Sequence, residues 1–263
     1  MEQITSRDGT RIGYERTGTG SPLVLVHGGT ADRTRWAPVL PALAEHFTLY
    51  AIDRRGRGAS GDADAYALER EFEDVTAVVD AIGGPVDLLG HSFGGVCALG
   101  AARRTPSVRR LVLYEPPRTG VAGTIPPAVA SRMASLLAAG DRDGVVTTFM
   151  REIVQVPPHE LEKLRSVPAW QGRVAAAHTI LREVHALEQQ PPLDPSGFAG
   201  FRIPTMLLLG GDSPPLEKAS TEALHAALPD SRIVVMPGQR HIAMNTAPDL
   251  FVREVLAFLA EPG

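Results

Sequence analysis

The chain has 263 residues, 44% of them hydrophobic, enough to bury a substantial core in one domain carrying an insertion. With 26 Lys and Arg against 30 Asp and Glu, the formal net charge of −4 offers no basic footprint, so nucleic acid is not an expected partner. The opening stretch MEQITSRDGT has no apolar core and no run approaches 18 apolar residues. Neither export nor a membrane span is therefore encoded, and the expected location is the cytoplasm.

In chain order, Asp8-Gly9 between two short runs signals a hairpin and hence an antiparallel edge. Six nearly continuous apolar runs follow: PLVLVHG at 22–28, FTLYAID at 47–53, VDLLGHS at 86–92, RRLVLYE at 109–115, TMLLLGG at 205–211 and SRIVVMPG at 231–238. Runs of this kind suit strands buried on both faces of a parallel sheet. Between them, Leu68, Phe72, Val75, Val79 and Ile82 share one helical face, as do Phe251, Val255, Leu256 and Leu259. The alternation predicts an α/β fold with a mostly parallel central sheet flanked by helices. Its rhythm breaks after Glu115, where about eighty residues contain no strand-like run. Helices over 128–139, 141–156, 158–167 and 170–190 predict a helical lid at 117–199, inserted in a core made of 1–116 and 200–263. Cys97 is the one cysteine, so it forms no internal disulfide and reads as buried helix packing.

In an open parallel sheet, ligands bind beyond the carboxyl ends of the strands. The residues just after the runs there form a set: His27-Gly28-Gly29-Thr30, Ser92-Phe93-Gly94-Gly95, Glu115-Pro116-Pro117, Gly210-Gly211-Asp212-Ser213 and Gly238-Gln239-Arg240-His241. A serine within GHSFG, two candidate acids and a histidine thus appear in the order nucleophile, acid, base. Asp53-Arg54-Arg55-Gly56 reads as structural, with the arginines in solvent. His27 is expected to support its loop by hydrogen bonding, and His91 to shape the turn at Ser92.

With HGG at 27–29, DRRGRGAS at 53–60, GHSFGG at 90–95 and PGQRH at 237–241, the chain resembles the α/β-hydrolase superfamily over essentially its full length. The resemblance implies a serine hydrolase with an inserted helical lid that needs no metal or organic cofactor. Ser92 would be the nucleophile, on a strained strand-to-helix turn, and His241 the base. The backbone N–H of Phe93, at a helix start, and that of Gly29 would receive the oxyanion. Most relatives place an aspartate three residues after the glycine that ends the first strand beyond the insertion. Here Gly210 is followed at that distance by Ser213, with Asp212 one position early. Glu115 looks like the glutamate that certain lactonases and some haloalkane dehalogenases of this fold use from the preceding strand. It is the expected acid, with Asp212 as the alternative. Because the nucleophile is a serine, the expected reaction is acyl transfer: hydrolysis of a carboxylic ester or lactone of a small to medium, largely apolar substrate. The same residues would also serve a carbon–carbon bond hydrolase, an acyltransferase, a perhydrolase, or a non-enzymatic receptor for a small molecule. Met150 and Trp170 are the expected substrate contacts on the lid. His178 and His185, seven apart, are too widely spaced for a helical metal pair. The sequence leaves the oligomeric state open.

Overall fold

The computed structural model describes residues 1–121 and 124–261; positions 122–123, within the expected insertion, and 262–263 lie outside the described residues. Strands β1 (Glu2–Thr5) and β2 (Arg11–Thr17) pair antiparallel, joined by a turn in which Gly9 adopts φ 89° and Asp8 Oδ1 accepts the Thr10 N–H at 2.9 Å. The left-handed backbone at that turn is what Gly permits without strain. β2 pairs antiparallel with β4 (Phe47–Ile52). From β4 onward, every pairing in the sheet is parallel, through β3 (Ser21–Val26), β5 (Val86–His91), β6 (Val108–Tyr114), β7 (Thr205–Gly210) and β8 (Ser231–Met236). The eight-stranded order is β1-β2-β4-β3-β5-β6-β7-β8. The chain leaves β3 toward β4 on one side and returns to β5 on the other. The ends of β3 and β5 therefore flank the crevice where the winding reverses, the place an α/β sheet offers a ligand.

The apolar runs are continuous because both faces of the sheet are covered. Val24 and Val26 point into one core with Leu88, Leu111 and Leu113, while Leu23 and Leu25 point into the other with Leu89 and Val112. Helices α2 (Leu68–Ile82), α3 (Phe93–Ala102) and α9 (Pro215–Ala227) pack into the first core. The second is closed by α1 (Leu40–Ala44), the 3-10 turn Arg33–Trp36, α10 (Ala243–Thr246) and α11 (Pro248–Leu259). In α2 the apolar positions recur every three or four residues, Glu69 and Glu71 favour the first turn, and Gly83 at φ 77° ends it.

Between β6 and β7 lie α4 (Pro127–Ala138), α5 (Arg142–Thr148), α6 (Pro158–Ser166), α7 (Ala169–Ala175) and α8 (Thr179–Glu188). They share an apolar cluster of their own, centred on Met133, Val145, Val146, Trp170 and Ile180. Two boundaries differ from the sequence expectation. The helix expected over 170–190 is two, because the carbonyl of Ala176 accepts both the N–H of Thr179 (3.0 Å) and its hydroxyl (2.9 Å), closing a tight turn. The helix expected over 141–156 is α5 followed by a π-helical turn at Phe149–Ile153. No helix among the described residues is long and apolar enough to cross a membrane.

Candidate active site

Ser92 sits between β5 and α3 with φ 54° and ψ −127°, a backbone state costing about 1–3 kcal/mol for a residue with a Cβ. Its neighbours hold it there. The Ser92 N–H donates to the Tyr114 carbonyl at 2.8 Å, and the Gly95 N–H returns to the Ser92 carbonyl at 2.8 Å. A side chain at Gly94 would collide with the carbonyls of Val26 and His27, so this helix start can press against the end of β3 only as glycine. Gly28 passes so close that a Cβ on it would stand 2.9 Å from that of Ser92. The loop carrying Gly29 is thus pinned beside the serine. The half-buried Ser92 hydroxyl makes no hydrogen bond among the described residues.

Phe93 opens α3, where the first amides have no carbonyl one turn earlier to bond. His27 braces the Gly29 loop from below: its Nδ1–H donates to the Gly28 carbonyl at 2.8 Å and its Nε2 accepts the Arg54 N–H at 3.1 Å. Burial, reinforced by Arg57 and Arg54, holds His27 well below the ordinary imidazole value, which keeps it neutral in that tautomer. Thr30, at φ 51°, is gripped from the helical segment by Arg173, whose Nη1 donates to the Thr30 carbonyl (2.7 Å) and hydroxyl (3.1 Å).

The imidazole of His241 is bonded through Nδ1 to Glu115 Oε2 at 2.7 Å. An ionised carboxylate only accepts, so Nδ1 carries the proton and Nε2 keeps its lone pair. The other oxygen of Glu115 accepts the Gly210 N–H at 2.8 Å and the Ser213 hydroxyl at 2.5 Å. Glu115 is 2% exposed. Burial pushes its carboxyl upward, but the bonds from His241, Ser213 and Gly210 outweigh that and hold it below the usual glutamate value. Asp212 is exposed; it joins this region through its backbone N–H, which donates to the Gln239 carbonyl at 2.9 Å. Ser213 thus occupies the place where the family pattern expects an aspartate, and donates to the glutamate there.

Two further residues hold the His241 loop. The Nε2–H of His91 donates to the His241 carbonyl at 2.8 Å, with the two rings 4.7 Å apart. Tyr114 donates its hydroxyl to the Arg240 carbonyl and accepts the Ala243 N–H at 3.0 Å. His91 immediately precedes Ser92, so this packing ties the serine turn to the histidine loop. Tyr114 carried no signal in the sequence beyond an aromatic residue at a strand end.

The expectation that Arg54 and Arg55 are solvated is wrong. Arg54 is buried in a forked pair with Glu71 (2.7 and 3.0 Å), reaches Glu183 at 2.9 Å, and lies 4.1 Å over the Phe93 ring. Arg55 is buried against Asp74 at 2.7 Å and Asp8 at 2.9 Å. A guanidinium keeps its charge when buried, so pairing of this kind is what offsets its loss of water, and the planar fork of Arg suits the task. Met150 and Trp170 pack into the helical segment's own cluster, where the Trp170 Nε1–H donates to Asp143 at 2.6 Å. His178 lies 3.4 Å from Asp62 and His185 contacts Gln189. Cys97 is buried, which pushes its thiol well up. A groove of about 500 Å³ lies between α4 and α8, lined by Ile125, Ala130, Leu181 and His185 and separate from Ser92.

Comparison with known proteins matches residues 23–254 to the model of the alpha/beta hydrolase family. A crystal structure of an alpha/beta hydrolase from Sphaerobacter thermophilus superposes with a TM-score of 0.85 at 38% identity, covering 98% of this chain and 100% of that one. The (E)-2-((N-methylformamido)methylene)succinate hydrolase of Acinetobacter baylyi is 28% identical, over 94% of this chain and 93% of its own length. The pimeloyl-(acyl-carrier protein) methyl ester esterase of Nitrosomonas europaea is 26% identical, over 92% and 96%.

Proposed function

The chain belongs to the alpha/beta hydrolase family, and from that premise we propose that it is a serine hydrolase that cleaves a carboxylic ester or lactone through an acyl-enzyme on Ser92. The observation that carries this reading is the chain of bonds from Ser213 and Gly210 through Glu115 to His241, ending beside the strained turn of Ser92. In it, His241 Nε2 takes the proton from the Ser92 hydroxyl as the oxygen attacks the substrate carbonyl. Glu115 holds the Nδ1–H and offsets the charge of the imidazolium that forms. The N–H groups of Phe93 and Gly29 receive the oxyanion, the first from a helix start and the second from a loop with no side chain to block approach. His241 then returns its proton to the leaving oxygen. Water, deprotonated by the same nitrogen, then attacks the acyl-enzyme; the bond to Ser92 breaks as His241 returns that proton to the Ser92 oxygen, and the acid leaves.

The helical segment 117–199 serves as a lid over this edge of the sheet. Glu183 on α8 and Arg173 on α7 support that role, since both reach side chains or backbone of the loops that flank Ser92. The test is release of p-nitrophenol from short-chain p-nitrophenyl esters. The wild-type protein turns over many equivalents, and Ser92→Ala loses activity by a factor on the order of 10⁴ to 10⁶ while keeping its melting temperature. Near-wild-type turnover by Ser92→Ala would reject the nucleophile.

A further inference from the structure

Three buried arginines in this protein have a carboxylate close by. Arg54 has Glu71 and Glu183, Arg55 has Asp74 and Asp8, and Arg57 has Glu183. Two beside the candidate active site, the buried Arg173 and the partly exposed Arg35, do not. Arg35, in the 3-10 turn that follows the Gly29 loop, donates through Nη1 to Asn245 Oδ1 at 3.0 Å, four residues beyond His241, and its Nε is buried without a partner. Arg173, 7% exposed, spends Nη1 on Thr30. Among the described residues, neither has a carboxylate within 4.0 Å. Arg110 is also buried without one, but it sits near the start of β6, bonded to the Leu259 carbonyl, at the opposite end of the sheet.

Arg35 and Arg173 act on each other and on a common neighbourhood. Burial and then the charge of Arg173 push Arg35 down to about 9, and both guanidinium groups bear on His91, the residue that packs against His241. One carboxylate, Asp32, attracts both from a distance, and its Oδ1 is already engaged by the Thr34 N–H (2.9 Å) and hydroxyl (2.5 Å). Two guanidinium groups thus share one carboxylate, Asp32, which leaves positive charge in excess beside the Gly29 loop. A guanidinium that is shielded from water and lacks a carboxylate is costly, and the arrangement becomes favourable when an anion enters, above all a carboxylate that the planar forks of Arg can bind bidentately.

We propose that Arg35 and Arg173 form an anion subsite beside Ser92, so that the substrate carries a carboxylate besides the bond that is cleaved. This deepens the hydrolase reading and rests on it for the position of the scissile bond. Arg35 comes from the core and Arg173 from α7, so a bound carboxylate would also bridge the lid segment to the core.

The probe is glutarate, with glutaramide as its uncharged counterpart. Competitive inhibition of p-nitrophenyl acetate hydrolysis is measured in the wild type, Arg35→Gln and Arg173→Gln, and ligand-induced melting shifts are measured in these and in Ser92→Ala. Glutarate is expected to inhibit the wild type and raise the melting temperature of both wild type and Ser92→Ala, while glutaramide does neither. Each Arg variant should weaken glutarate roughly 10- to 100-fold, the scale of a lost charged hydrogen bond. Because the melting readout is the shift on adding glutarate, a variant with a lower starting temperature still reports. Glutarate binding no tighter than glutaramide, or binding that survives both Arg substitutions, would overturn the subsite. If esters are turned over but glutarate is ignored, the subsite falls and the hydrolase stands. If no ester is turned over but glutarate protects Ser92→Ala through both arginines, the hydrolase reading falls and the subsite stands.

Discussion

The carboxyl edge of the sheet and the helical segment between β6 and β7 are built on different principles. At the edge, Ser92 is fixed by its backbone N–H to Tyr114 and Glu115 by the Gly210 N–H together with the Ser213 hydroxyl, while the His241 loop is held by buried His91 and Tyr114 on its own carbonyls and amide. The helical segment has a separate apolar cluster and meets the core through long side chains, with Glu183 on Arg54 and Arg57, Arg173 on Thr30, and Arg182 on Asp62. Backbone-fixed groups keep their geometry when neighbouring sequence changes, whereas side-chain contacts can be exchanged one at a time. Substitutions in the two regions should therefore fail differently, the first in rate and the second in stability or substrate preference.

The largest separation comes from the two candidate acids. Glu115→Gln keeps the shape but loses the charge that holds the Nδ1–H of His241, and turnover should fall by a factor on the order of 10⁴ with little change in stability. Asp212→Asn, at an exposed position, should stay within about twofold of wild type on the same ester. A collapse in the Asp212 variant would move the acid to β7 and erase the distinction drawn at Glu115.

On the other side of the comparison, Trp170→Ala removes a side chain 3% exposed within the helical cluster and leaves Asp143 without the indole donor. Denaturant titration should show a loss of about 3–5 kcal/mol. Relative rates among ester chain lengths should change by less than about threefold, measured on protein that remains folded. A large change in chain-length preference with little loss of stability would make Trp170 a substrate contact instead of lid core.

The smallest effect is in acid. The folded state holds the Glu115 carboxyl below its ordinary value, so its contribution to stability is fully present above the unfolded value of about 4.3 and is lost as pH falls below that, through the folded value. Melting temperatures of wild type and Glu115→Gln should therefore differ most above that pH and converge below it. A gap that stays constant from pH 6 to pH 3 would mean that the bonds around Glu115 do not favour its charged form.

Much of this was legible in one sequence because the centre of the sheet is covered on both faces, so each central parallel strand is a nearly continuous apolar run and its last residue marks the reactive edge. Glu115 stood out for the same reason, as a lone carboxylate at the end of RRLVLYE. What could not be read depends on partners far apart in the chain. Arg54 and Arg55 look like surface residues until Glu71 and Asp74, 17 and 19 positions on, and Glu183, 129 positions on, arrive beside them. The grip of Arg173 on Thr30 spans 143 positions. The break between α7 and α8 has no Gly or Pro at 176–178 to announce it, only a Thr whose hydroxyl competes for a backbone carbonyl.

The central claim is that Ser92 is an activated nucleophile. A fluorophosphonate probe reports this without any assumption about the natural substrate, since it reacts fastest where a neighbouring base takes the proton of an attacking serine hydroxyl beside an oxyanion site. Intact-mass measurement followed by peptide mapping should find one adduct on Ser92 in the wild type, none in Ser92→Ala, and much slower labelling in Glu115→Gln. An adduct on a different serine, or undiminished labelling of Ser92→Ala, would contradict the account.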